Sequence, residues 1–212
     1  MAERSKTKEK ILRTALGLFN NEGESQVSSV DIASVMGISP GNLYYHYKGK
    51  DEIITALFED FDDEIRMVLK APVNAPLSLP DNWVYLYIIF EEIFDFRFFY
   101  KNLSELIARN PELRARFSRL LALKEQTAYA LLNTLREAGH LEFEEGEASA
   151  LSQRLAQHFT FWLQYHDLRY NMASPKSLID QGVFSALVMI IPYLTRDDGF
   201  SSRLEQFLQG QG

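Results

Sequence analysis

Apolar residues recur every three or four positions along most of the chain, and almost nowhere in strict alternation. That is the helical period, so the pattern predicts an all-α protein. Ile11, Leu12, Ala15, Leu18 and Phe19 form one stripe from about Lys6 to Asn21, closed by Gly23. A short helix follows Ser28 or Ser29, with Val30, Ile32, Ala33 and Val35 as its apolar face and Gly37 as its stop. Ser39-Pro40 starts a third helix, since serine caps well and proline is tolerated at the first helical position. Gly49 breaks it, and a fourth helix runs from about Lys50 to Leu69.

Residues 71–80 hold three prolines and predict a boundary, because proline denies the helix a donor. Beyond it the spacing predicts helices near 81–96, 97–109, 111–138, 146–171, 175–195 and 200–209. The expected organisation is therefore a head over 1–50, a linking helix over 50–69 and a helical body over 70–212.

Composition narrows the function classes. The chain has 212 residues and no cysteine, which removes disulfides, thiolate metal sites and cysteine nucleophiles. Met1 to Lys10 is polar, unlike an export signal, and the longest apolar run, Val183 to Leu194, is too short to span a bilayer. A cytoplasmic protein without a membrane partner is expected. Net charge is −7, yet residues 1–50 carry seven Lys/Arg against five Asp/Glu, a local +2. A basic head on an acidic body suits a nucleic-acid reader whose bulk is held off the phosphates.

Residues 28–47 carry the functional signal. Two short helices are joined by a turn at Gly37-Ile38-Ser39. Ala33 permits close approach, Ile38 can plug the gap, and Leu43 and Tyr47, four apart, can face the core together. Pro40, Gly41, Asn42, Tyr44, Tyr45 and His46 are then left outside, as a major-groove reader requires. Asn42 can donate to and accept from a base edge. Gly41 lets backbone approach DNA, and Tyr44, Tyr45 and His46 can reach phosphates or thymine methyls. Ser28, Ser29 and Ser39 stand at helix starts, where hydroxyls and free N–H groups suit phosphate. Lys50 adds a cation. The same pattern also describes a plain helical hairpin, and the polar, aromatic outer face is what favours DNA.

Ile32-Ala33, Gly37-Ile38-Ser39, Gly41 to Tyr47 and Lys50 to Ile54 resemble the DNA-binding signature of the TetR family of transcriptional regulators, over about residues 8–58. Met36 and Gly49 depart from the usual pattern, away from the DNA face. The resemblance implies an N-terminal three-helix helix-turn-helix domain and a C-terminal helical domain for ligand binding and dimerisation. It further implies a homodimer on a palindromic double-stranded operator, most often a repressor released by a small effector.

In such proteins the effector pocket lies among the helices after the DNA-binding domain. Here the segment 83–100 is rich in aromatics, which suggests a hydrophobic or aromatic effector. Trp83, Tyr87, Phe90, Phe94, Trp162 and His166 are the candidate lining, with plain core packing as the alternative. By the same resemblance, helices 146–171 and 175–195 form the dimer interface. Leu155, Phe159, Trp162 and His166 make one stripe there, and Val183, Leu187, Ile190 and Leu194 another.

No cofactor or metal is expected. His158 and His166 are eight residues apart, too far to share one ion without other ligands, and Glu59 to Glu64 lacks the spacing of a calcium loop. No nucleophile elbow, phosphate loop or dinucleotide fingerprint is present, so an enzyme is not expected. A helical interaction module that uses the same outer face on a protein is the remaining alternative.

Overall fold

The computed structural model describes residues 6–74, 79–169 and 174–195, with the side chains of 72–74 and 79–83 outside that description. Its helices are α1 (Lys6–Glu22), α2 (Ser29–Met36), α3 (Pro40–His46), α4 (Lys50–Asn74) and α5 (Leu79–Asp95). They continue as α6 (Arg97–Lys101), α7 (Leu103–Arg109), α8 (Pro111–Glu137), α9 (Glu147–Arg169) and α10 (Pro175–Ile190). Short 3-10 turns occupy Glu24–Gln26 and Ile191–Tyr193. Among the described residues no strand forms, and one isolated bridge pairs Leu141 with Leu194. The fold is all-α. The helix expected over 200–209 lies outside the described residues.

Two expectations change. The proline-rich stretch interrupts less than its composition suggests, because Pro72 falls in the last turn of α4 and Pro80 in the first turn of α5. A proline in the final turn removes only one backbone bond, and one at a helix start removes none. The helix expected over 97–109 divides at Asn102, which leaves helical geometry with φ −108° and ψ 16°.

The chain packs as two compact units, Met1–Met67 with Glu92–Leu120 and Val68–Glu91 with Leu121–Gly212. Packing thus groups α6, α7 and the start of α8 with the first three helices, a partition that a linear reading does not contain. In the first unit Ile11, Ala15 and Phe19 of α1 are buried with Ile32, Ala33, Leu43 and Tyr47. Phe58 and Phe61 of α4 meet Phe99 and Phe96 with ring centroids 5.3 Å apart in each pair. Asn20 locks the end of α1 to the start of α6. Its side chain donates to the Asp95 carbonyl at 2.7 Å and accepts from the Phe98 N–H at 3.1 Å.

In the second unit Phe90 is fully buried, with its ring 5.2 Å from Phe159 and 5.0 Å from Trp162. Gly182 of α10 makes room for it: a Cβ there would stand 2.6 Å from Phe90 Cε1. The His158 ring donates from Nε2 to the Gly182 carbonyl at 3.0 Å, which fixes α9 against α10.

Candidate functional site

The helix-turn-helix is built by its caps. The Ser28 side chain accepts from the Asp31 N–H and the Asp31 carboxylate accepts from the Ser28 N–H, a reciprocal capping box that starts α2. Gly37 closes α2 in the left-handed conformation, φ 68° and ψ 32°. The Ile38 N–H then reaches the Ala33 carbonyl and the Gly37 N–H the Ser34 carbonyl, each at 3.0 Å. This double closure suits glycine because a side chain is strained there. Ser39 caps α3 by accepting from the Asn42 N–H at 3.2 Å, and Pro40 opens the helix.

With both ends fixed, α3 has two distinct faces. Leu43 and Tyr47 are 1% and 4% exposed and anchor it. Ser39, Pro40, Gly41, Asn42, Tyr44 and Tyr45 are exposed and His46 is half-buried. Tyr45 is 78% exposed, an unusual position for a large ring, and meets its neighbour His46 edge-on at 5.3 Å. Lys48, which the sequence reading passed over, is exposed and sets its ammonium 4.9 Å from the Tyr44 ring centroid. This places a cation beside the α3 face.

Other candidates sit differently. The Ser28 hydroxyl donates to the Asp31 carboxylate at 2.6 Å, and that acid occupies the start of α2. Ser29 is half-buried, while Val30 and Val35, expected on the apolar face of α2, are 57% and 64% exposed. Eight residues allow α2 a narrow buried stripe, which Ile32 and Ala33 fill.

Lys50 is turned onto Glu24. Its Nζ lies 2.9 Å from Glu24 Oε1 and donates to the Glu24 carbonyl at 2.9 Å. Arg109 approaches the same carboxylate at 2.7 Å. Burial pushes the Glu24 carboxyl up, but the hydrogen bonds from Arg109 and Lys50 outweigh it and hold the group below its ordinary range. The Lys50 ammonium, expected from the sequence to face phosphate, is thus engaged by Glu24. It ties the start of α4 to the turn before α2.

The candidate effector residues do not converge on one space. Tyr87 donates to Asp180 at 2.7 Å. Phe90 is core, and Phe94 stacks on the Arg97 guanidinium at 4.6 Å. Trp162 and His166 face an open groove along α9 and α10. The side chain of Trp83 lies outside the described residues. Most of the aromatic run is packing, since Phe96, Phe98, Phe99 and Tyr100 are all buried in the first unit.

A different set lines a cavity of about 70 Å³ inside the second unit, among them Tyr85, Ile89, Lys124, Thr127, Leu155 and Phe159. Lys124 is 1% exposed, and burial lowers its ammonium to about 7. Tyr85 is buried, and that burial raises its phenol well above the ordinary value. Sequence reasoning missed both, because a lone lysine on a long amphipathic helix reads as a solvated position.

The stripes expected at a dimer interface are mostly turned inward. Leu155, Phe159, Trp162 and His166 are buried within the chain, as are Val183 and Leu187, while Ile190 and Leu194 are half-buried. The apolar side chains that α9 leaves outside are Phe161, Tyr165 and Leu168, 47%, 59% and 91% exposed, with Val188 of α10 at 41%. Among the described residues no group of histidines and acids could hold a metal, and no helix is long and apolar enough to cross a membrane.

Comparison with known proteins agrees with this architecture. Residues 11–57 match the family described as bacterial regulatory proteins, tetR family, and residues 60–198 match the TetR bacterial transcriptional repressor family. The HTH-type transcriptional regulator AcrR of Shigella flexneri is 35% identical over 57 residues, 27% of this chain and 26% of that protein. The match thus spans about a quarter of that relative. A TetR-family transcriptional regulator from Marinobacter aquaeolei VT8 superposes with a TM-score of 0.87 at 29% identity, covering 96% of this chain and 99% of that one. The SmeT–triclosan complex shares the fold at a TM-score of 0.63 and 18% identity, covering 92% and 95%. The second family match alone covers well over half of the sequence, and with the helix-turn-helix geometry it establishes that this chain belongs to the TetR family of DNA-binding bacterial transcriptional regulators.

Proposed function

We propose that the protein is a repressor that binds a palindromic operator as a homodimer and leaves it when a small apolar effector enters the cavity of the second unit. The carrying observation is α3: a short helix capped at both ends, anchored by Leu43 and Tyr47, that presents Asn42, Tyr44 and Tyr45 to solvent. In this reading Asn42 reads a base edge, Gly41 and Pro40 allow close approach, and Tyr44, Tyr45, His46 and Ser39 contact backbone or thymine methyls. Lys48 supplies the neighbouring positive charge, and Lys50 positions α4 behind the reading helix.

Dimerisation uses the apolar side chains that α9 and α10 leave exposed, Phe161, Tyr165, Leu168 and Val188. Two copies of this pair of helices make a four-helix bundle, which sets two reading helices for successive major grooves, about 34–36 Å apart. The regulator acts on the chromosome and so in the cytoplasm. The SmeT–triclosan complex supports a ligand-binding second unit. A cavity of about 70 Å³ is small for a ligand site, so occupancy requires its walls to move. Leu69, on the same helix as Lys50, is part of that wall. An effector that binds the opened form better than the closed one therefore biases α4.

The test is binding of the intact protein to its operator at several salt concentrations. Tyr45→Ala is expected to weaken binding at least tenfold with unchanged thermal midpoint. Wild-type affinity in that variant removes the assigned face.

A further inference from the structure

The two ends of the helix-turn-helix meet at one buried carboxylate. Glu24 precedes α2 and Lys50 opens the helix after α3, so both short helices lie between them. Glu24 is fully buried, and its Oε1 lies 2.9 Å from Lys50 Nζ and 2.7 Å from Arg109 Nη2. Lys50 also donates to the Glu24 carbonyl, so the junction is fixed through backbone as well as side chain. Arg109 comes from outside the segment: it is the last residue of α7, in the same compact unit. The stretch just before Glu24 is held to α6. Arg97 donates to the Asn21 side chain at 3.0 Å, and the Asn20 side chain accepts from the Phe98 N–H.

A buried carboxylate is costly unless donors meet it, so the three side chains hold one another in place. Lys50 closes the segment 24–50 on itself, and Arg109 ties the closed segment to α7. Base-edge hydrogen bonds demand placement to a fraction of an ångström, whereas attraction to phosphates tolerates a shifted or tilted helix. A residue that orients the helix-turn-helix therefore acts on sequence discrimination more than on general affinity for DNA. We propose that Arg109 is a positioning residue for DNA recognition. Through Glu24 it sets the angle at which α7 carries the segment 24–50, and so the placement of Asn42, without touching DNA itself. This rests on α3 being the reading helix, and it goes further by naming what holds that helix. The rival role is a direct phosphate contact, since 33% of the Arg109 side chain is exposed and it shares an open groove with Lys48 and Lys50.

The test titrates this chain with two duplexes at several salt concentrations, one recovered by selection from a random library and one of random sequence. Arg109→Gln is expected to weaken the selected duplex by about tenfold or more, the worth of a lost base contact. It should weaken the random duplex by about twofold at most and leave the slope of log affinity against log salt unchanged. Affinities are taken per folded molecule, at a temperature where circular dichroism shows each variant folded. Lost stability alone then moves neither the ratio nor the slope. Arg109→Lys keeps the charge but loses the forked donor, so its discrimination should fall between the two, and it carries the test if Arg109→Gln does not fold. Glu24→Gln should lose the same discrimination, and adding Arg109→Gln to it should cost little more, because both act through one contact. Wild-type discrimination in Arg109→Gln overturns the inference. Equal weakening of both duplexes, a slope lowered by about 1, or additive effects of the two substitutions also overturn it. Tyr45→Ala, run alongside, separates this inference from the reading beneath it. If Tyr45→Ala weakens the selected duplex and Arg109→Gln does not, only the positioning role fails. If Tyr45→Ala binds as wild type does, or selection enriches nothing, α3 is not the reader and both fail.

Discussion

Lys50 and Glu24 stand 26 positions apart in sequence and are joined twice, through the glutamate's carboxylate and through its backbone carbonyl. Glu24 is fully buried, so its charge depends on Lys50 and Arg109. Lys50→Ala is expected to cost about 1–3 kcal/mol of stability, by leaving a buried carboxylate short of a donor. Its effect on DNA should be indirect. The slope of log affinity against log salt should match wild type, whereas loss of a direct phosphate contact lowers that slope by about 1. Thermal denaturation and a salt titration of binding check the two halves.

Gly182 and Phe90 support a prediction about the second unit. Phe90 is held between Phe159, Trp162 and His158 and has no room to retreat from a methyl group at 182. Gly182→Ala is expected to destabilise by about 1–3 kcal/mol, despite alanine's better helix propensity. Adding Phe90→Leu should recover part of that loss. A double-mutant cycle by urea denaturation measures the coupling.

Stability should depend on pH in two windows with opposite signs. Glu92 is raised to about 7 by burial and then by the negative charge and hydrogen bonding of Glu64, with Asp95 adding to it. The folded state therefore holds a proton that the unfolded chain gives up near 4.5, and stability falls as pH rises from there to about 7. Glu92→Gln should remove that fall and stabilise by about 1–3 kcal/mol at pH 8. Lys124 is lowered from 10.5 to about 7 by burial, and Tyr85 is the other titratable group on the cavity wall. Between those values the unfolded chain binds the extra proton, so stability rises with pH across that window. Lys124→Met should flatten this rise and stabilise most below pH 7. Denaturation midpoints from pH 5 to 10 resolve both effects.

The reading head was legible in the sequence because its signals are local. Ser28, Gly37, Ser39-Pro40 and Gly49 punctuate the chain within a few residues of what they cap, and the four-residue spacing of Leu43 and Tyr47 puts both on one face. The setting of Lys50 is not legible locally, because its partner Glu24 and Arg109, which shares that carboxylate, are distant in sequence. The same limit hid the cavity. Phe90 and Tyr85 are five residues apart on α5, and nothing local says that one packs beside Gly182 while the other lines a void with Lys124. The stripes on α9 and α10 have the same limit: Leu155, Phe159, Val183 and Leu187 are buried within the chain, which spacing alone does not tell. Phe161, Tyr165 and Leu168, on the same helix as Leu155 and Phe159, are exposed instead.

We read α3 as one of two symmetry-related heads that recognise DNA sequence. The decisive experiment is selection of bound duplexes from a random library by this chain, with Asn42→Ala run in parallel. The expected result is an enriched inverted repeat with half-site centres one helical turn or a multiple apart, and loss of preference at a particular base in each half-site with Asn42→Ala. A pool without enrichment, or the same enriched sequence from wild type and Asn42→Ala, contradicts it.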